Sequence, residues 1–264
     1  MHPHHISTIW QSLDRDSLAA IARKGPEPVF ATISGAHLYG FASPDSDVDL
    51  RGAFLLPAAA LLGLDPPAET ITIEDVGAIE LDWVAHDLRK FARLMTNHNG
   101  YVLEQLYSPL VVVETPIFEE LKEIGKGCLT RPTVRHYRGF ARGRVERLGE
   151  PGATVKHLLY AYRVLLTGIH LMRSGEVCSN ISALLDAFPL PMVEELIQRK
   201  QQGTEKMLLE ESELESHLKA LRGLDDLLQE AHARSALPEE PTTVAALEDL
   251  VLRARFETWQ EARG

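Results

Sequence analysis

Cysteine is scarce: Cys128 and Cys178 are the only two in 264 residues. Two such residues in a chain of this length exclude a disulfide framework. They fit free thiols in a reducing compartment, so a cytoplasmic setting is expected. Long apolar runs are also lacking, and none approaches the roughly 18 residues needed to cross a bilayer. The opening Met1-His2-Pro3-His4-His5 does not have the basic-then-apolar layout of a secretory signal. His157, His170 and His217 have no Cys or His partner at zinc-ligand spacing, so no zinc site is expected; His2, His4 and His5 could bind a metal, but read as a mobile terminus. Aromatic residues are only 6% of the chain, few for the wide stacking surface of a strong RNA binder. Basic residues are in deficit too, and the net charge of −11 argues against nucleic acid binding over the whole surface.

What is present suits a soluble globular protein, with 45% apolar and 25% charged residues. The length allows one large domain or two small ones. Charge is unevenly spread. From Arg131 to Gly175 nine Lys/Arg face two Glu, a basic island in an acidic chain that points to a localised anionic ligand.

The most informative stretch is Ile33-Ser34-Gly35-Ala36-His37-Leu38-Tyr39-Gly40, followed by Ser46-Asp47-Val48-Asp49-Leu50-Arg51-Gly52. It reads as a strand ending in a glycine turn, then a second strand carrying Asp47 and Asp49. Alternate residues of a strand share a face, so the two carboxylates project together, roughly 7 Å apart. Like charges that close need a cation or a proton between them. A hard divalent ion with oxygen ligands suits them, Mg²⁺ above all where phosphates complete its shell. The glycine turn lets backbone N–H groups approach an anion closely. A phosphate cradle beside a metal pair implies nucleotide chemistry. Arg51 shares the face of the two acids and can neutralise them or bind a substrate phosphate.

This stretch resembles the DNA polymerase β-type nucleotidyltransferase superfamily, whose pattern is Gly-[Gly/Ser], about ten residues, then Asp-x-Asp. The fuller string is similar to a bacterial branch associated with RNA repair. Leu88-Arg89-Lys90-Phe91, Asn99-Gly100-Tyr101-Val102-Leu103-Glu104, and Lys156 with Tyr160 and Arg163 carry the likeness further. It is good over residues 30–110 and weaker to about 175. One departure stands out: Ala36 occupies the place of the superfamily's phosphate-contacting serine, with Ser34 two residues earlier.

The resemblance implies an α+β fold, a mixed sheet with flanking helices followed by an all-helical C-terminal region. Domains are expected at 1–126 (catalytic, with an opening helix at 6–23) and 127–264 (helical). Strands are expected at 29–34, 48–55, 69–74, 78–85 and 110–114, with helices at 87–95 and 102–106. Beyond Pro116 the apolar period is helical, with breaks at Pro151-Gly152 and at Gly175 and long charged helices over 192–234 and 242–262.

Mg²⁺-dependent nucleotidyl transfer needs a third carboxylate beside the first two, holding metal and able to take a proton. Glu80 and Asp82 share one face of the strand 78–85. Asp82 is preferred because it stands eight residues before Lys90, as in the family's strand-helix segment. Asp47, Asp49 and Asp82 are therefore the expected catalytic and metal-binding residues, for two Mg²⁺ ions or Mn²⁺ in their place. Ser34, Gly35, Ala36, His37, Tyr39, Gly40, Ser46 and Arg51 form the expected nucleotide cradle. By the resemblance Lys156, Tyr160 and Arg163, one helical face, close over the nucleotide. Arg131, Arg135, Arg138 and Arg142 form a stripe suited to nucleic acid phosphates or to salt bridges with the acidic C-terminal helices. The expected reaction moves an NMP from an NTP to a hydroxyl, an RNA end by the resemblance, and releases pyrophosphate. Rival acceptors are a partner protein, as in nucleotidyltransferase antitoxins, or a small molecule. A non-catalytic nucleotide-binding protein of the same fold is the non-enzymatic alternative.

Overall fold

The structure is a computed structural model that describes residues 13–76, 80–150, 152–203, 208–209 and 211–261. The first part of the expected opening helix, His2, His4 and His5, and residues 78–79 of the expected fourth strand lie outside these residues. Contacts group the described chain into two compact units that are not contiguous in sequence. One contains Leu13–Gly35, Asp47–Cys128 and Pro241–Gly264; the other contains Ala36–Ser46 and Leu129–Glu240.

The first unit is built on a five-stranded sheet of order β3-β4-β2-β1-β5. Its strands are β1 (Pro28–Ile33), β2 (Val48–Phe54), β3 (Thr70–Val76), β4 (Glu80–Asp87) and β5 (Val111–Val113). β2 and β4 run parallel; the other neighbouring pairs are antiparallel. All six residues of β1 are buried, as expected for an interior strand covered on both faces. β4 alternates: Leu81, Trp83 and Ala85 are buried, while Asp82, Val84 and His86 are half-buried. That period of two turns one face of β4 into the core and leaves the other for polar groups.

The helices of this unit are α1 (Arg15–Ala22), α3 (Ala58–Leu62), α4 (Leu88–Thr96), α5 (Gly100–Leu106) and α6 (Pro116–Gly125); α2 (Gly35–Tyr39) has only Gly35 in it and its other residues in the second unit. Asp14, Asp87, Asn99 and Thr115 cap α1, α4, α5 and α6 with side-chain oxygens, each satisfying backbone donors that a helix start leaves open.

The last helix of the chain (Val244–Glu261, α12 in the final count) returns to this unit against α3, α4 and α6. Arg255 of α12 donates to the carboxylate of Asp87 and to the carbonyl of Leu56. Asp87 is fully buried and Arg255 almost so, and Asp87 also accepts from the amides of Leu56 and Arg89. A buried pair so fully hydrogen-bonded holds the returning helix in one register; losing either partner would strand a buried charge. That contact is why residues 241–264 cluster with the sheet.

The second unit is helical: α7 (Val134–Leu148), α8 (Val155–Ser174), α9 (Ile181–Ala187), α10 (Pro191–Gln202) and α11 (Glu211–Arg234). The stretch expected to be helical over 192–234 contains α10 and α11 among the described residues. α8 is the axis of the unit. Fourteen of its twenty residues are buried, and α7, α9, α10 and α11 all pack on it, as a helix apolar on most faces requires. Thr154 and His157 exchange hydrogen bonds at its start in a capping box.

The segment Ala36–Ser46 belongs to this unit for a reason the sequence conceals. Lys200 of α10 is wholly buried and donates to the Ser43 hydroxyl at 2.6 Å. Its neighbour Gln201 donates to the Gly40 carbonyl at 3.2 Å. Gly40 has φ 87°, and a Cβ there would come within 2.8 Å of the Asn180 side chain, so only glycine passes this point without strain.

Candidate active site

Parallel pairing of β2 with β4 sets Asp49 directly beside Asp82, with Cα atoms about 4.8 Å apart as neighbouring strands require. Both acids are half-buried. One guanidinium nitrogen of Arg51 bridges them, donating to Asp49 Oδ1 at 2.6 Å and to Asp82 Oδ2 at 2.9 Å. Its other nitrogens donate to the Leu50 and Asp82 carbonyls and to the Tyr101 hydroxyl. Burial opposes the charge on Arg51, but Tyr101, Asp49 and Asp82 outweigh it and raise its pKa above the ordinary value. Arg51 therefore remains a fixed cation holding two carboxylates together. Of the two roles open to it from the sequence, the structure displays neutralisation.

The far oxygen of Asp82, Oδ1, is buried and has no hydrogen-bond partner among the described residues. An orphaned carboxylate oxygen costs free energy unless a ligand completes it. Beside Asp49 the backbone is equally constrained. Gly35 has φ 61°, and a Cβ there would lie 1.9 Å from Asp49 Oδ2. The Ser34 amide donates to the Asp49 carbonyl at 2.8 Å, which fixes the end of β1 against β2. Ser34 Oγ is buried and also without a partner among the described residues. Asp47 immediately precedes β2, is half-buried and forms no ion pair among the described residues. Among those residues no three Asp, Glu, His or Cys side chains form a ready metal cluster; here the guanidinium of Arg51 stands with Asp49 and Asp82.

Residues 11–253 match the RNA repair pathway DNA polymerase beta family, RlaP. The chain belongs to that family. This RlaP-family protein is accordingly a nucleotidyltransferase. It is 30% identical over 231 residues to an uncharacterised protein of Methanocaldococcus jannaschii, covering 85% of this chain and 93% of that one. It is 25% identical over 252 residues to the uncharacterised protein YcgL of Bacillus subtilis, covering 90% and 93%. A solved nucleotidyltransferase-like protein from Exiguobacterium sibiricum covers 84% of this chain and 75% of its own at 17% identity, with a TM-score of 0.31. A likeness that low supports no argument.

The remaining expected site residues of the RlaP protein divide into groups. Glu80 is exposed at the start of β4, so Asp82 is the acid of that strand set beside Asp49. Ala36, His37 and Tyr39 are buried in α2, a short helix where the sequence suggested an open glycine turn. Ser46 is buried and bonds Ser43 through its amide and hydroxyl, so it shapes the loop before Asp47. In the helical unit Arg163 is buried, with its guanidinium 3.9 Å from the ring centre of Tyr39. Tyr160 meets Tyr39 and Phe41 edge to face at 5.5 and 5.4 Å. The Lys156 ammonium lies 6.0 Å from the Tyr160 ring.

The arginine stripe separates into pairs. Arg131 binds Glu239 and Arg138 binds Asp225 through two nitrogens, which is the salt-bridging role. Arg135 and Arg142 are exposed, form no ion pair among the described residues, and line a cavity of about 650 Å³ between α7 and α11.

The sequence does not announce Tyr101 as the partner of Arg51. Its signal lies in Asn97-His98-Asn99, where His98 adopts φ 57° and Asn99 caps α5 through the amides of Tyr101 and Val102. A non-glycine residue in the left-handed region marks an over-determined turn; this one aims Tyr101 at Arg51.

Proposed function

We propose that the protein transfers a nucleoside monophosphate from an NTP to the hydroxyl of an RNA end, with Mg²⁺, and releases pyrophosphate. The observation that carries this reading is the cross-strand pair Asp49–Asp82, bridged by Arg51 and left with one buried carboxylate oxygen unbonded. An anionic pair with an unsatisfied oxygen fits a hard divalent cation. Asp49 and Asp82 would hold it, with Asp47 from the same strand face. Bound there, the metal would offset triphosphate charge and favour ionisation of the attacking hydroxyl.

In this reading the acceptor oxygen bonds to the α-phosphorus, the bond from that phosphorus to the β-bridging oxygen breaks, and pyrophosphate departs. Asp82 accepts the hydroxyl proton. Arg51, released from one carboxylate, pairs with a phosphate, a bidentate role suited to its planar fork. Gly35 lets Asp49 stand hard against the turn. By the family likeness Arg163, Tyr160 and Lys156 are the nucleotide-contacting residues of the helical unit, within which Tyr39 at the end of α2 holds Arg163 by stacking.

The test offers α-labelled ATP, CTP, GTP and UTP with Mg²⁺ to separate RNA, protein and small-molecule acceptors. Label is expected on RNA carrying a free hydroxyl end, and its transfer is expected to stop with chelator. Label passing only to a protein or a small molecule would refute the RNA assignment.

A further inference from the structure

Beside its buried side, α7 has a face apart from the cavity lined by Arg135 and Arg142, where His136 and Arg144 are half-buried and Phe140 is exposed. On it His136, Phe140 and Arg144 follow one another at steps of four, the spacing that stacks side chains along a helix. The rings of His136 and Phe140 are 5.7 Å apart and tilted by only 24°. Phe140 is 41% exposed, unusual for a ring so close to an ordered partner. The guanidinium of Arg144 lies 5.2 Å from the Phe140 ring centre and 5.0 Å from that of Tyr160. Imidazole, phenyl, guanidinium and phenol thus form a continuous row.

The charges beside this row repel one another. Burial lowers the pKa of Arg144, Tyr160 opposes the shift, and Arg147 and Arg163 add to it. Burial likewise lowers His157, with Arg144, Arg147 and Lys156 reinforcing and Glu150 opposing. Among the described residues neither Arg144 nor Arg147 forms an ion pair. Burial and Arg163 bring His136 down to about 4, so at neutral pH it supplies an uncharged ring. Arg144 and Arg147, with no ion pair among the described residues and with Glu150 nearby, stand next to an exposed ring and suit a ligand that is both anionic and flat.

We propose that this face of α7 is a docking surface for single-stranded nucleic acid. A base stacks on the exposed part of the Phe140 ring, and phosphates pair with Arg144 and Arg147. The row from residue 136 to 147 spans about 16 Å at 1.5 Å per residue, more than one mononucleotide covers, so the ligand is a strand. Stacking of this kind tolerates any base. The proposal deepens the reading of RNA as acceptor and rests on it.

The test measures anisotropy of a labelled twelve-nucleotide single-stranded RNA with the full chain, across a salt series. Phe140→Ala is expected to weaken binding about 10-fold, and Phe140→Trp to restore it. Arg144→Gln with Arg147→Gln is expected to lower the salt slope by about 1.4, because two cations no longer pair with single-strand phosphates. Binding of a non-hydrolysable NTP is expected to be unchanged in Phe140→Ala. Parent-like RNA binding by Phe140→Ala would overturn the platform, as would equal displacement of the RNA by a polyglutamate peptide of matched charge. So would a loss of NTP binding equal to the loss of RNA binding, which would place the ring in the nucleotide site. The acceptor reading fails separately, when the parent protein transfers label onto no RNA at any concentration.

Discussion

Asp82→Asn is expected to lower nucleotidyl transfer about 1,000-fold at saturating NTP, with circular dichroism and unfolding close to those of the parent. The substitution keeps the shape of the side chain and removes its charge. Arg51 keeps Asp49, Tyr101 and two carbonyls as partners, so the strand end remains held. What goes is the charge of a carboxylate whose buried Oδ1 has no protein partner among the described residues, the group assigned to the cation and to the acceptor proton. Losing a general base alone costs roughly 100- to 10,000-fold, and weakened metal binding adds to this. Glu80→Gln is the matched control, because Glu80 shares the strand face but stands exposed. Activity surviving in Asp82→Asn and lost in Glu80→Gln would reverse the assignment of the third carboxylate.

Gly35→Ala is expected to reduce transfer at least 100-fold and to weaken divalent-metal binding with it. Two costs act together. The backbone at φ 61° disfavours an L side chain by about 1–2 kcal/mol. The new methyl would also stand 1.9 Å from Asp49 Oδ2, so the carboxylate must move or the turn must open. Either response draws Asp49 away from Arg51 and Asp82. Metal titration by calorimetry with the parent and the variant separates this from a pure folding defect. Unchanged metal affinity in a folded but inactive Gly35→Ala would show that the turn serves something other than the position of Asp49.

Much of this is legible in the chain. Alternation over Leu81, Trp83 and Ala85 defines β4 and therefore the face of Asp82, because a period of two leaves no choice of side. The spacing from Gly35 to Asp47 points to a site before any strand pairing is known. Three things escape for physical reasons. The bridge from Arg51 to Asp82 depends on parallel register between strands thirty residues apart, which no local period encodes. Lys200 on Ser43 and Arg255 on Asp87 join positions more than 150 residues apart, and a lone basic residue in a charged helix gives no sign that it is buried. The row His136–Phe140–Arg144 is hidden within a helix whose dominant pattern is its arginine stripe. Two arginines of that stripe, Arg131 and Arg138, are occupied by acids from the C-terminal part of their own unit.

The central claim is that Asp49 and Asp82, with Asp47, form a cation site from which Arg51 is displaced by substrate. The most direct measurement is an anomalous-scattering crystal structure with Mn²⁺ and a non-hydrolysable NTP. Manganese peaks are expected bonded to the carboxylates of Asp49 and Asp82, with the Arg51 guanidinium turned onto a phosphate. Manganese and triphosphate bound elsewhere, with Arg51 still bridging the two acids, would contradict it.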